Sequence, residues 1–395
     1  MKKKTIIIII LSIILLVLSI FLYRYIRIKT AKVEITYIEN KDIEFSSELY
    51  VSSLIKSING KLVDDFKIDT TKLGEKEIDY EYINDDNIKL KQSVTINVVD
   101  TEAPLVWLGK SYNITVGDTS NLLDKILCGD NYDSNPVCEI EGFYNVLEKG
   151  SYELTFKATD SSNNVTTKNF TLNVTEPRTS TSTAKNSTLF SDIVKEYKNQ
   201  NTQIGIDVSK WQQDIDFNAL KDAGVEFVFI RVGSSNGMNG ENYVDSKFIQ
   251  NITNANAVGI PVGVYFYSYA NTYKRAVNDA LWVIDQIKDY KVDLNIAFDW
   301  ENWRSFNDFD LSFFGLTNIA EGFMKTVEDH GYKGLLYSSK TYLENIWRPT
   351  TYPVWLAHYT KNTNYQNDYE YWQICSNGKV PGITTDVDID IRYLN

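Results

Sequence analysis

Asn295-Ile-Ala-Phe-Asp-Trp-Glu-Asn-Trp303 is the stretch on which the chain turns. Asn295 to Phe298 reads as a short buried strand that ends in Asp299, Trp300 and Glu301. Side chains two apart on a strand share a face, so Asp299 and Glu301 project together, their Cα atoms roughly 6–7 Å apart. Two carboxylates on one face repel, and one of them tends to hold its proton near neutral pH. A protonated acid beside an ionised one, with indoles nearby, suits hydrolysis of a glycosidic bond. Two solvated acids in a loop fit the same residues equally well, so the flanking sequence has to decide.

Outward from that strand the pattern is strand, helix, strand. Ile204–Val208 opens it, and Phe217 to Ala223 is a short helix stopped by Gly224. Phe227–Val232, Val262–Tyr267, Gly334–Ser338, Pro353–Ala357, Tyr371–Ile374 and Val387–Asp390 are further apolar runs, the first several separated by helical segments. Apolar strands alternating with helices imply a parallel sheet covered on both faces. About eight strands over roughly 190 residues predict a small α/β barrel, whose chemistry belongs at the C-terminal strand ends. Those ends carry Asp207, Tyr265, Tyr267, Asp299, Glu301, Tyr337, Trp355, Tyr359, Trp372, Gln373 and Asp388. Acids among aromatic platforms suit a carbohydrate cleft, because sugar rings present apolar faces and hydroxyl edges.

Several separated motifs carry a resemblance. They are Gly205-Ile-Asp-Val-Ser-Lys-Trp-Gln212, Ile230-Arg-Val-Gly233, Asp245, Gly263-Val-Tyr-Phe-Tyr267 and Phe298-Asp-Trp-Glu301. Trp355-Leu-Ala-His-Tyr359, Trp372-Gln373, Pro381-Gly-Ile383 and Val387-Asp-Ile-Asp390 complete the set. With them, residues 204–395 resemble the glycoside hydrolase family 25 lysozymes, bacterial and phage muramidases. The resemblance implies an irregular (β/α)5β3, TIM-like barrel that cleaves the β-1,4 bond between N-acetylmuramic acid and N-acetylglucosamine. It implies Glu301 as general acid and Asp299 as the group that orients or stabilises the substrate acetamido group; the family's reaction reads as substrate-assisted retention or as inversion, and the Asp-x-Glu arrangement favours substrate assistance. Asp207 and Asp388 would line the cleft, with Tyr265, Tyr267, Tyr337, Trp355, Tyr359 and Trp372 as sugar contacts. His358 and Asp390 depart from the residues the family more often carries there. No cofactor and no metal is expected. The alternative is a catalytically weak wall-glycan-binding surface protein or adhesin.

Residues 33–177 read as all-β. Glu77–Ile83, Ser93–Val98, Tyr152–Ala158 and Asn169–Val174 alternate apolar and polar residues, as half-buried strands do. The segment also repeats: Leu73 to Val99 parallels Leu147 to Thr175, and each copy ends in an acid and a proline. Two small sandwiches are expected, at 33–100 and 104–176, the second resembling the immunoglobulin-like modules of bacterial surface proteins. They are read as spacers. Asp130, Asn131 and Asp133 are read as a polar turn, since a calcium loop would need a fuller oxygen set. Cys128 and Cys138 pair only if this region lies outside the cell, and two reduced thiols fit equally. Cys375 is read as a buried, inert thiol. A Ser/Thr-rich linker is expected over 178–200.

At the amino terminus, a tail of residues 1–5 with three lysines precedes an apolar run over 6–23. The run is long enough to cross a bilayer, and bulky, basic Tyr23-Arg-Tyr-Ile-Arg27 follows instead of a small-residue cleavage site. An uncleaved transmembrane anchor is expected over a cleaved signal, with the C-terminal domains outside the cell, in the wall. The whole is thus multidomain: one helix, two β modules and a barrel. The net charge of −12 implies no basic surface for phosphates and argues against nucleic acid as a partner. Peptidoglycan glycan strands and the membrane are the expected partners, with wall or secretion machinery as further candidates and wall remodelling as the expected role.

Overall fold

The computed structural model describes residues 2–177 and 187–394. The chain divides into two compact units, Met1–Thr101 and Glu102–Asn395.

In the first unit a helix runs over Lys2–Lys29, and its Ile6–Lys29 portion is long and apolar enough to cross a membrane. The β part is built on an antiparallel hairpin, Gly74–Asn84 with Lys89–Val99. Tyr80, Tyr82, Val94, Ile96 and Val98 are buried at every second position, the period of a sheet with one covered face. Gly60–Leu62 flanks one side of the hairpin, and Asp42–Glu44 pairs parallel to the other.

The second copy of the repeat, within the second unit, uses the same plan. Its hairpin is Gly150–Thr159 with Val165–Thr175, edged by Val137–Glu141 and by a parallel strand, Ser111–Thr115. A short ribbon, Leu105–Val106 with Cys128–Gly129, packs Val106 and Cys128 onto Leu154, Phe156 and Phe170. Cys128 and Cys138 are joined in a disulfide, which ties the ribbon to the edge strand. Asp130 forms a polar turn, its Oδ1 accepting from the backbone N–H groups of Tyr132 and Asp133.

The rest of the second unit is a closed barrel. Its strands are β1 (Thr202–Val208), β2 (Val228–Ser235), β3 (Val262–Tyr267), β4 (Ile296–Asp299), β5 (Gly334–Ser339), β6 (Val354–Ala357), β7 (Tyr371–Lys379) and β8 (Val387–Tyr393). Strands β1 to β7 run parallel in sequence order, and β8 closes the ring antiparallel between β7 and β1. The helices α1 (Phe217–Asp222), α2 (Phe248–Val258), α3 (Tyr273–Ile287), α4 (Phe313–Asp329) and α5 (Lys340–Asn345) follow β1 to β5 in turn. No helix separates the last three strands among the described residues. This is the expected five-unit barrel with three added strands.

The linker expected over 178–200 is only partly so. Residues 178–186 lie outside the described residues, but Thr188–Leu189 pairs with β7 and Phe190–Tyr197 is a helix. Phe190, Ile193, Val194 and Tyr197 recur at helical spacing, and Phe190 and Ile193 are buried on the barrel core. The barrel therefore begins before residue 204.

Alternate strand residues point outward to the helices and inward to the axis. Ile204, Ile206 and Val208 face out, as do Ile296 and Phe298. Inside, Phe227, Phe229, Ala297, Leu335, Trp355 and Tyr371 fill the barrel floor. Phe229 stacks on Trp355 at 4.5 Å and meets Tyr371 edge-on at 5.0 Å. Gly263 makes room for this floor, since a Cβ there would lie 2.4 Å from the Phe229 ring. Gly263→Ala is expected to lower barrel stability by about 1–3 kcal/mol through overpacking. Thermal unfolding checks this, and an unchanged midpoint would contradict it.

Candidate active site

The period of two that fills the floor also places the acids. On β4, Ala297 points into the barrel, so Asp299 does too, and Glu301 continues that face beyond the strand end. Trp300 points the other way and is fully buried, its Nε1 donating to the Ala270 carbonyl at 3.2 Å. Trp303, Phe306 and Phe309 pack edge-on around its ring. The segment after β4 is thus pinned by an aromatic cluster while its two acids face a cleft.

The cleft has a volume of about 270 Å³ and opens at the C-terminal ends of the strands. Among the expected residues, Asp207, Tyr265, Tyr267, Asp299, Glu301, Tyr337, Trp355, Tyr359 and Asp388 all line it. Trp372 does not. It lies on the outer face of β7, its Nε1 donating to the His358 carbonyl at 2.8 Å and its ring against Tyr197. Its neighbour Gln373 takes the cleft position, because Tyr371 faces in and Gln373 follows two residues later. His358 is not among the lining residues, and its Nδ1 sits 2.9 Å from Thr363 Oγ1.

Gln373 is a hub. Its Nε2 donates to Asp207 Oδ2 at 2.7 Å, while its Oε1 accepts from the hydroxyls of Tyr337 and Tyr359, each at 2.9 Å. Beneath them Asp390 is fully buried and accepts from Trp355 Nε1 at 2.8 Å. Arg231, the cationic side chain among the described lining residues, is held by Asp245 through Nε at 2.7 Å and an Nη at 2.5 Å. Asp245 also accepts the backbone N–H of Lys210 at 3.1 Å, which fixes the Asp207–Gln212 segment over the cleft. Trp211 stands on that segment, 65% exposed at the mouth. Arg231, Ser209, Trp211 and Gln212 lie within the motifs of the family resemblance, but the sequence alone assigned them no role.

The acids are mutually disturbed. Burial, and then the charge of Glu301, hold the Asp299 carboxyl well above the usual carboxylate range. Glu301 is raised by desolvation in the concave wall, an effect opposed by its hydrogen bonds to Asp299 and Tyr337. The two acids influence each other's titration, so a proton on them belongs to the pair rather than to one residue. Asp299 Oδ1 is buried without a hydrogen-bond partner, so it has a free acceptor position. Burial pushes Asp207 up, reinforced by Asp388 and Asp390. Burial, then the charges of Glu301 and Asp386, push Asp388 up to about 7. A cleft of such groups offers proton donors at neutral pH and tyrosine surfaces for a neutral, ring-shaped, hydroxylated ligand.

Comparison with known proteins adds to this geometry. Residues 206–383 match the model of glycosyl hydrolases family 25. Over 189 residues the chain is 26% identical to the autolytic lysozyme of Clostridium acetobutylicum, covering 47% of this chain and 54% of that protein. It therefore spans about half the length of that relative. Among solved structures, the modular autolysin LytC of Streptococcus pneumoniae, in complex with a synthetic peptidoglycan ligand, is similar at a TM-score of 0.45 and 24% identity. That match covers 60% of this chain and 56% of the autolysin. A family 25 glycosyl hydrolase from Bacillus anthracis gives a TM-score of 0.43 and 22% identity, over 54% of this chain and 95% of that one.

Asp388 supplies a test of the electrostatics. Its ordinary value is 3.8, and the folded protein raises it to about 7. The folded form thus binds the proton more tightly, so Asp388 costs stability increasingly as pH rises from about 4 to about 7. Asp388→Asn removes that cost. Its thermal midpoint should exceed the wild type's by roughly 2–6 °C at pH 8 and converge with it at pH 4. An equal gap at both pH values would contradict the assignment.

Proposed function

We propose that this protein, whose residues 206–383 match the model of glycosyl hydrolases family 25, is a membrane-anchored peptidoglycan hydrolase. Its reaction is that of an N-acetylmuramidase, cleaving the β-1,4 bond between N-acetylmuramic acid and N-acetylglucosamine. The observation that carries the reading is that Asp299 and Glu301 line one cleft, both held above the usual carboxylate range by desolvation, with a free acceptor on Asp299 Oδ1. A raised, proton-holding Glu301 beside an acceptor on Asp299 that can meet an acetamido N–H favours a reaction in which the substrate supplies the nucleophile.

In that reaction the acetamido N–H of the sugar donates to Asp299 Oδ1. The bond favours ionised Asp299 and leaves the shared proton on Glu301. Glu301 gives this proton to the leaving glycosidic oxygen as the acetamido oxygen attacks the anomeric carbon. Positive charge then spreads to the acetamido nitrogen, where Asp299 stabilises it, an interaction strongest in the transition state. Water opens the cyclised intermediate, activated by Glu301 acting in reverse. Tyr265, Tyr267, Tyr337, Trp355 and Tyr359 support the sugar rings, and Asp207 and Asp388 accept from their hydroxyls.

The N-terminal helix serves as an uncleaved anchor, and the two β modules, immunoglobulin-like in character, carry the barrel out into the wall. Such a tethered enzyme suits remodelling of the producer's own wall. The 45.3 kDa chain is expected whole in the membrane fraction. Recovery of a shorter chain from the medium would contradict the anchor.

Clearing of purified walls tests the chemistry. Glu301→Gln should lower the rate about 10²–10⁴-fold with the fold intact. Asp299→Asn should lose kcat with KM little changed, and NMR of the first-formed reducing end should show the β anomer. Near wild-type rates for Glu301→Gln, or an α anomer, would overturn these roles of the two acids.

A further inference from the structure

The module at 104–176 is fastened to the barrel beside the cleft. Asn307, in the segment after Glu301, brackets the module's ribbon: its Oδ1 accepts from the Cys128 N–H and its Nδ2 donates to the Ile126 carbonyl, both at 3.2 Å. The first N–H groups of α4, on Phe313 and Phe314, donate to the carbonyls of Asp130 at 2.8 Å and Asn131 at 3.2 Å. A helix start lacks such acceptors of its own, so the module completes it. Gly129 packs so closely that a Cβ would lie 2.7 Å from the Phe313 ring, and Leu127 joins the barrel core. The module is therefore held in register with the segment that carries Glu301.

That fixed position brings one module side chain to the end of an aromatic row. Trp303 lies two residues beyond Glu301 and stacks on Tyr342 at 3.9 Å, 17° from parallel. Tyr342 in turn meets Trp107 at 5.7 Å, tilted by 44°. Trp303 and Tyr342 follow the C-terminal ends of β4 and β5, the end at which the cleft opens. Trp303 is buried and Tyr342 half-buried, but Trp107 keeps 39% of its surface exposed. Its backbone N–H is bound to the Leu127 carbonyl at 2.8 Å, so the ring is presented from a held strand end.

We infer that Trp107 is a sugar-stacking platform for the glycan strand, outside the rings that flank the cleaved bond, and that module and barrel form one extended substrate track. An indole offers a broad apolar face with few rotamers to freeze, and its N–H can meet a hydroxyl. The ligand class is a β-1,4-linked amino-sugar polymer. The inference rests on the hydrolase reading above and adds a binding site contributed by a different module.

Steady-state kinetics of the full chain on two substrates test it: long wall glycan strands, and the shortest oligomer that the wild type cleaves. Trp107→Ala should raise KM on long strands about two- to tenfold, with kcat unchanged. The short oligomer should be turned over as by the wild type. Trp107→Phe should restore most of the loss, and Trp107→Leu, which keeps an apolar contact with Tyr342, should behave as Ala does. Equal losses on both substrates would mean that Trp107 only braces the barrel, and no loss on either would remove the site. A wild type that cleaves neither substrate would instead sink the hydrolase reading itself, and this inference with it.

Discussion

Carboxylates withdrawn from water favour their neutral form unless a cation or a donor meets them. The cleft gathers Asp207, Asp299, Glu301 and Asp388, with Asp390 buried below. Arg231 is the one cation among the described lining residues, and much of its charge is met by Asp245. The remaining compensation comes from neutral donors: Gln373 to Asp207 and Trp355 to Asp390. Such donors hold acids in place without ionising all of them. The result is a set of carboxyls that keep protons near neutral pH, and the proposed chemistry depends on that.

Holding this arrangement requires a stiff frame. The barrel supplies it by closing β8 antiparallel between β7 and β1, and by packing Phe229, Trp355 and Tyr371 across the floor. Trp355 belongs both to that floor and to the cleft wall, so packing and site are continuous there. The segment after β4 is held from the barrel side by the cluster around Trp300 and from the module side through Asn307.

Much of this was legible in the chain because strands carry a period of two. That period puts Asp299 with Glu301 and Tyr265 with Tyr267, and the alternation of apolar strands with helices marks the barrel. The same rule, applied from Tyr371, puts Gln373 in the cleft and Trp372 on the outer face of β7. The helix Phe190–Tyr197 was hidden by the polar composition just before it, although its apolar spacing is helical. Other features had no local signal. The Cys128–Cys138 pairing depends on the folded module, and the Asn307–Cys128 contact joins residues 179 apart. Arg231 and Asp245 meet only once β2 and its following loop have folded.

The central claim is that this cleft cleaves one particular bond of the wall glycan. Purified peptidoglycan digested with the full chain, then reduced with borohydride and resolved by mass spectrometry, reports the sugar at each new chain end. The account predicts that N-acetylmuramitol appears at the new reducing ends. N-acetylglucosaminitol there, or glycan strands left uncut, would contradict it.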